Sequence, residues 1–188
     1  MIDTEEKFRN ALATVLKHEG GLVDNPDDPG GITNYGISLR TLSRLGHVDN
    51  DHDGAADYDF NGDGSVDAND VCDAGPEDVE NFYYYEFWNK YSYHKLPFLI
   101  AAKVMDLSVN MGPKQAHKIL QRALIANGLK LKDDGILGNI TFTLAENCLE
   151  ARSLPAIRSE AAGFYRLLVA VNPKAEQWRE GWLRRAYS

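Results

Sequence analysis

Cysteine is scarce in this chain: there are two in 188 residues, Cys72 and Cys148. They can pair only once and match no metal-ligand spacing, which excludes a disulfide-stapled scaffold and leaves two reduced, buried thiols as the expectation. Also missing is any run near the ~20 consecutive apolar residues that span a bilayer, so no membrane insertion is expected. The opening Met1-Ile2-Asp3-Thr4-Glu5-Glu6 is acidic and lacks the basic-then-apolar pattern of a secretory signal. A chain made in the cytoplasm is the expectation.

Basic residues are absent from one long stretch. Between Asp49 and Asp78 there are ten Asp and one Glu with no Lys or Arg, and the rest of the chain carries 17 acids against 20 bases. The net charge of -8 excludes nucleic acid as an expected partner, while the part outside the acidic stretch is mildly basic. Histidine is equally thin there: His47 and His52 are the imidazoles of that region, and their spacing suits no zinc motif.

What is present is mostly helical patterning. Asp3 with Glu6 reads as a capping box, and Phe8, Leu12, Val15 and Leu16 recur at helical spacing, predicting a first helix that ends at Glu19 before Gly20-Gly21. The stretch from Asp24 to Gly36 is rich in Pro, Gly and Asx and reads as turns or a short irregular hairpin. A helix over Ser38 to Leu45 follows. After the acidic stretch comes the aromatic run Phe82 to Tyr93, more often core than a carbohydrate platform. From Pro97 onward, apolar positions such as Leu99, Val104, Leu107, Ile119, Leu124, Ile157, Ala161 and Leu168 predict an all-helical half with short loops at Asn127-Gly128 and Asp133-Asp134-Gly135. The expected fold class is mainly α and two-lobed. Residues 1–97, including an acidic insertion over 47–78, form one region, and residues 98–188 a second; the chain is expected to be a monomer.

The acidic insertion has an internal order. Asp59, Asn61, Asp63, Asp67 and Asp70 fall at positions 1, 3, 5, 9 and 12 of an EF-hand-like loop, with Gly64 at 6 and Ser65 at 7. Calcium is a hard cation wanting six to eight oxygens, and glycine supplies the sharp bend that lets alternate residues face inward. Upstream, Asp49, Asp51, Asp53 and Asp57 repeat the opening of such a loop, but its twelfth position is Phe60. One structural calcium ion is expected, with a second only if the incomplete loop borrows ligands. An acidic, solvated insertion that binds nothing is the plainer alternative. No cofactor is expected for catalysis.

Glu19, at a helix end where unpaired carbonyls concentrate negative potential, is placed to hold its proton tightly, as the general acid of a glycosidase must. An ordinary exposed helix-end glutamate would look the same in isolation. Its surroundings add a pattern: His18-Glu19-Gly20-Gly21, then Asp27-Asp28-Pro29-Gly30-Gly31-Ile32-Thr33-Asn34-Tyr35-Gly36-Ile37-Ser38, closely resembles the N-terminal signature of glycoside hydrolase family 108. These are lysozyme-like N-acetylmuramidases of phage and bacterial genomes, of the endolysin and secretion-activator kind. The resemblance implies a lysozyme-like fold and Glu19 as the catalytic acid. Phage-type lysozymes carry a Glu, an Asp after eight intervening residues and a Thr after five more; Glu19 and Asp28 keep the first spacing, and Thr33 comes one residue early. Asp28 is thereby a candidate base or electrostatic stabiliser. Thr33 and Asn34 are candidates for flanking the cleft, and Tyr35 either contacts a sugar or packs at a hinge.

Further along, Asp106-Leu107-Ser108-Val109-Asn110-Met111-Gly112-Pro113, Leu120-Gln121 and Asp134-Gly135-Ile136-Leu137-Gly138-Asn139-Ile140-Thr141 resemble the predicted peptidoglycan-binding region of the same enzymes, with Asn110 as a substrate-binding candidate. The implied activity is hydrolysis of the β-1,4 bond between N-acetylmuramic acid and N-acetylglucosamine in bacterial peptidoglycan. The implied place of action is the periplasm or cell wall, reached through a holin, a pore or lysis. Three other readings remain open: a lytic transglycosylase on the same bond, a non-catalytic peptidoglycan-binding or secretion-associated protein, and a dockerin-like adhesion module.

Overall fold

The computed structural model describes residues 4–23, 31–50, 52 and 54–188. Asp3, Asp28, Asp51 and Asp53, all singled out in the sequence, lie outside the described residues. The chain is mainly helical and divides into two compact units, one of Leu12–Lys90 and one of Met1–Ala11 with Tyr91–Ser188. Among the described residues no helix is long and apolar enough to cross a membrane.

Helix α1 spans Thr4–Leu16, so its first part groups with the later unit and its last part with the earlier one. It buries Phe8, Ala11, Leu12 and Val15, the stripe that the helical spacing marked. The helix stops at Leu16, the last residue of that stripe and three residues before the end expected from the glycine pair: Glu19 lies in the bend beyond, although its N–H still donates to the Val15 carbonyl at 3.3 Å. Two glycines follow at once, and their high backbone entropy makes continuation of the helix costly.

In the Leu12–Lys90 unit, β1 (Thr33–Asn34) and β2 (Ile37–Ser38) form a two-residue hairpin with Asn34 opposite Ile37. Its turn residues, Tyr35 and Gly36, have φ of 48° and 79°, the pair of positive values that a type I′ turn requires. Val23 bridges Thr33 through two backbone hydrogen bonds of 2.7 and 2.9 Å, which returns the segment after Glu19 to the hairpin. Ser38 caps α2 (Leu39–Leu45), its hydroxyl accepting from the Thr41 N–H. Beyond the acidic stretch, α3 (Ala68–Asp73) starts from a reciprocal capping box between Asp67 and Asp70. Helix α4 (Pro76–Tyr83) opens with proline in its first turn and runs on as a π-helical segment, Tyr84–Asn89. Phe82, Tyr83 and Trp88 are buried, so this aromatic run builds core.

The Tyr91–Ser188 unit is a helix bundle: α5 (Phe98–Met111), α6 (Pro113–Ala126), α7 (Asn139–Asn147), α8 (Glu150–Val171) and α9 (Arg179–Tyr187). Gly112 at φ 86° ends α5 by donating to the Ser108 carbonyl, and Pro113 starts α6, so the Gly-Pro pair converts one helix into the next. Helix α8 packs against α5, α6 and α9. Ile100, Val104, Leu107, Ile119, Leu120, Leu124 and Ile157 are essentially sealed from water there. Each such side chain contributes about 1.5–3 kcal/mol by burial.

Two polar networks lie inside this bundle. Asp106 is fully buried; Arg185 Nε donates to its Oδ1 at 2.9 Å, an Arg185 amino group donates to its carbonyl at 3.1 Å, and Lys103 Nζ lies 3.4 Å from Oδ2. Lys103 also donates to the Arg185 carbonyl. Burial pulls the Lys103 ammonium below its ordinary pKa, against the raising effect of Asp106. The second network joins Tyr93 Oη to Ser108 Oγ at 2.7 Å and to His117 Nε2 at 2.8 Å, with His117 Nδ1 at 3.0 Å from the Gly135 carbonyl. The carbonyl can only accept, so Nδ1 carries the proton. Desolvation lowers the His117 pKa, which keeps the ring neutral and lets Nε2 accept from Tyr93.

The cysteines differ from expectation. Cys72 is exposed and Cys148 half-buried, and both are free. Cys72 sits beside fully buried Val71 on a helix of six residues, too short to hide both neighbours.

Candidate active site

The chemistry-bearing residues of the Leu12–Lys90 unit gather at the hairpin tip. A Cβ added to Gly36 would stand 2.9 Å from both Glu19 Cγ and Glu19 Oε2, and 2.6 Å from Tyr83 Oη. The Glu19 carboxylate therefore lies directly over the Gly36 backbone, at a distance only glycine tolerates. Two demands coincide at this position, a positive φ and an absent side chain. Glu19 itself is half-buried, open on one side and supported on the other.

Tyr83 completes the support. Its ring is buried against Phe82 and Phe87, with centroids 5.4 and 5.6 Å away, and its hydroxyl donates to the Tyr35 carbonyl at 2.8 Å. A residue of α4 thus pins the hairpin turn that carries Gly36. Sequence reasoning missed this role because Tyr83 is one of three successive tyrosines, and nothing in their spacing distinguishes the one that points at the turn. The usable signal was the pair Tyr35-Gly36 itself: a non-glycine residue at positive φ needs outside support.

The other candidates take varied positions. Tyr35 is exposed at the tip. Thr33 is half-buried, with its main chain bridged to Val23 and its hydroxyl donating to the Gly31 carbonyl at 3.3 Å. Asn34 is buried, and its amide donates to the Val71 carbonyl at 3.0 Å, tying the hairpin to α3. Asn110 belongs to the other unit, exposed near the end of α5, where its Oδ1 accepts from Tyr165 Oη at 2.6 Å.

The acidic stretch folds into Asx-rich turns. Asp59 accepts from the N–H groups of Asp63 and Gly64 at 3.1 and 2.8 Å, and Asn61 and Asp63 accept from N–H groups two residues on. Asp70 is fully buried, its two oxygens accepting from Asn61 N–H at 3.3 Å and Asp67 N–H at 2.7 Å. Upstream, Asp57 accepts from the main chain and side chain of Asn50, and Asp49 from Gly54 N–H. The Ser65 N–H is held by Asp63. Tyr58 is buried beneath and donates to Glu86 at 3.0 Å, its pKa raised by desolvation and by the Glu86 charge. Among the described residues no three His, Cys, Asp or Glu side chains converge as a metal site.

Comparison with known proteins divides the chain later than the compact units do, at the junction of α5 and α6. The profile of the family described as Glycosyl hydrolase 108 matches residues 12–112, more than half of the chain, and that of a Predicted Peptidoglycan domain matches residues 115–187. Among solved structures, that of Brucella abortus SagA superposes with a TM-score of 0.64 at 23% sequence identity, covering 96% of each chain, which establishes a shared fold. A search of curated proteins returned no match.

Proposed function

Since the chain belongs to the glycosyl hydrolase 108 family and carries a predicted peptidoglycan domain, making it a peptidoglycan hydrolase in general outline, we propose that it is an N-acetylmuramidase. It cleaves the β-1,4 bond between N-acetylmuramic acid and N-acetylglucosamine with Glu19 as general acid. The observation that supports this most is the seat of Glu19, a half-buried carboxylate held over the Gly36 backbone on a turn pinned by Tyr83.

In this mechanism Glu19 donates its proton to the glycosidic oxygen as the bond to the muramic C1 breaks, and positive charge develops on that sugar. Water adds to C1 and releases a proton, leaving a new reducing end and a free hydroxyl on the departing sugar. Asp28 serves as the base or electrostatic partner, Thr33 and Tyr35 flank the sugar, and Asn34 holds the hairpin to α3 through the Val71 carbonyl. Placing the acid against a rigid turn holds the proton within reach of the leaving oxygen, and such positioning removes part of the entropic barrier. Asn110 adds a polar contact to the substrate. The enzyme reaches its substrate in the cell wall through a holin, a pore or lysis.

We extend the proposal to one structural calcium ion in the acidic loop, with Asp59, Asn61, Asp63, Ser65, Asp67 and Asp70 as the oxygen donors. An all-oxygen set with a glycine at the bend suits a hard cation, which would neutralise the crowded carboxylates and rigidify the loop. Calcium is then expected to raise the melting temperature of the wild type and not of Asp59→Ala; no shift in the wild type would refute the site.

The test of the catalytic assignment is release of reducing ends from purified peptidoglycan by wild type and Glu19→Gln. Loss of a general acid is expected to slow cleavage by about 10²–10⁴-fold with the fold intact. A variant as active as wild type overturns the role of Glu19. Mass analysis of the fragments separates hydrolysis from transglycosylation, whose anhydro product lacks one water.

A further inference from the structure

The Tyr91–Ser188 unit carries a groove with no part in the mechanism above. It encloses about 500 Å³ along α7 and the loop before it, and Lys130, Leu131, Lys132, Ile136 and Ile140 are among the residues that line it. Ile136 and Ile140 are 70% and 69% exposed, whereas Ile100, Ile119 and Ile157 of the same unit are at most 1% exposed. Placing two isoleucines four residues apart in water forfeits the gain of burying them, a cost recovered if a ligand covers them.

Both the exposure and the shape are held in place. Gln121 of α6 clamps the loop: its Oε1 accepts from Gly135 N–H at 2.8 Å, and its Nε2 donates to Asp134 Oδ1 and to the Ile136 carbonyl, each at 3.0 Å. Gly135, at φ 80°, lies so near the Lys114 carbonyl that an added Cβ would come within 2.7 Å of it. The groove is therefore preorganised, which lowers the entropy cost of binding.

Charge and chemistry narrow the occupant. Lys130 and Lys132 supply two cations, while the lining acid, Asp134, is already engaged by Gln121 and Ile136 N–H. No aromatic ring is among the described residues that line the groove, so it lacks the flat apolar face on which sugar rings stack. A ligand that fits alternates small apolar groups with free carboxylates on an extended backbone. The peptide stem of peptidoglycan has that composition: alanine methyls interspersed with the carboxylates of its acidic residue and its C-terminus.

We propose that this groove binds the stem peptide of peptidoglycan, the isoleucines covering its methyl groups and the lysines pairing with its carboxylates. The inference rests on the peptidoglycan reading above and specifies which part of that polymer the second unit recognises. It assigns glycan to the Glu19 site and peptide to the bundle.

The test is a calorimetric titration of full-length Glu19→Gln with a disaccharide-tetrapeptide fragment and with the same disaccharide stripped of its peptide. The peptide-bearing fragment is expected to bind at least about tenfold more tightly, equivalent to about 1.4 kcal/mol. Ile136→Ser with Ile140→Ser, and separately Lys130→Glu with Lys132→Glu, are each expected to abolish that advantage while leaving binding of the bare disaccharide unchanged. Equal affinity for the two ligands, or an advantage that survives both double substitutions, overturns the proposal. An unrelated acidic peptide that binds as tightly as the muropeptide overturns it in favour of protein recognition. The hydrolase reading fails by a different result: a wild-type enzyme that releases no reducing ends from peptide-stripped glycan strands.

Discussion

The hairpin of the Leu12–Lys90 unit and the bundle of the Tyr91–Ser188 unit hold their polar groups by opposite means. At the hairpin, Glu19 is positioned by an absence, the missing side chain of Gly36, and by one hydrogen bond from Tyr83 to the turn. In the bundle, Asp106 is positioned by enclosure, with two cations and their hydrogen bonds closing around a carboxylate that water cannot reach. The first arrangement leaves a carboxylate half-open and fixed in place, as a proton donor to an external substrate must be. The second spends charge on fastening α9 to α5. Function and stability are thereby separable in this chain, and each can be perturbed alone.

The largest expected effect falls on the bundle. Asp106→Ala leaves Lys103 and Arg185 buried without their counter-charge, and breaking a buried network in this way costs about 3–5 kcal/mol of stability. Chemical denaturation of the variant checks it; a midpoint within error of wild type would mean that the triad is replaceable. Next comes the hairpin: Gly36→Ala drives a methyl into Glu19 and Tyr83, and under the proposed role of Glu19 a displacement of about an ångström costs about a hundredfold in rate. Reducing-end release, read beside the melting temperature, tells a misplaced acid from a lost fold. Tyr83→Phe is milder, since it removes one hydrogen bond to the turn and leaves the ring, a loss of about 1 kcal/mol. Its expected signature is a fall in turnover larger than any change in melting temperature.

The smallest expected effect concerns pH. His117 has a folded pKa below its ordinary 6.5, so the unfolded chain binds the proton more readily. Its contribution to stability is complete above 6.5 and is lost as the pH falls from there toward the folded value. Denaturation series from pH 7.5 to 5 should show stability declining on the acid side, with a shallower decline in His117→Gln. A slope of equal steepness in the variant would remove His117 from the account.

Much of the architecture was legible from residue patterns. The stripe of Phe8, Leu12 and Val15 is buried as its spacing demanded, the helix expected over Ser38 to Leu45 starts one residue later with Ser38 as its cap, and the second half is helical, although the connection between α6 and α7 is the long stretch 127–138 and not a short loop. Glycine-rich and Asx-rich stretches announced turns, and the one after Gly31 is a true hairpin. The end of α1 was misjudged because it was set by the glycine pair, whereas the helix ends with the last residue of its apolar stripe, Leu16; the burial of Cys72 was misjudged because a six-residue helix has only one sheltered face. The aromatic run resolved into core, but its pattern did not say which tyrosine hydroxyl would reach the hairpin.

The sequence by itself determined the local events: the apolar stripes of the helices, and the turns in the glycine-rich and Asx-rich stretches. These depend on backbone preferences and hydrogen bonds between near neighbours, which a few consecutive residues specify. Only the tertiary structure decided that Tyr83 meets Tyr35, that Gly36 lies under Glu19, and that Asp106 is closed in by Arg185. Those contacts join residues from separate elements, and their geometry is set by how buried apolar surfaces pack, which no short-range pattern encodes.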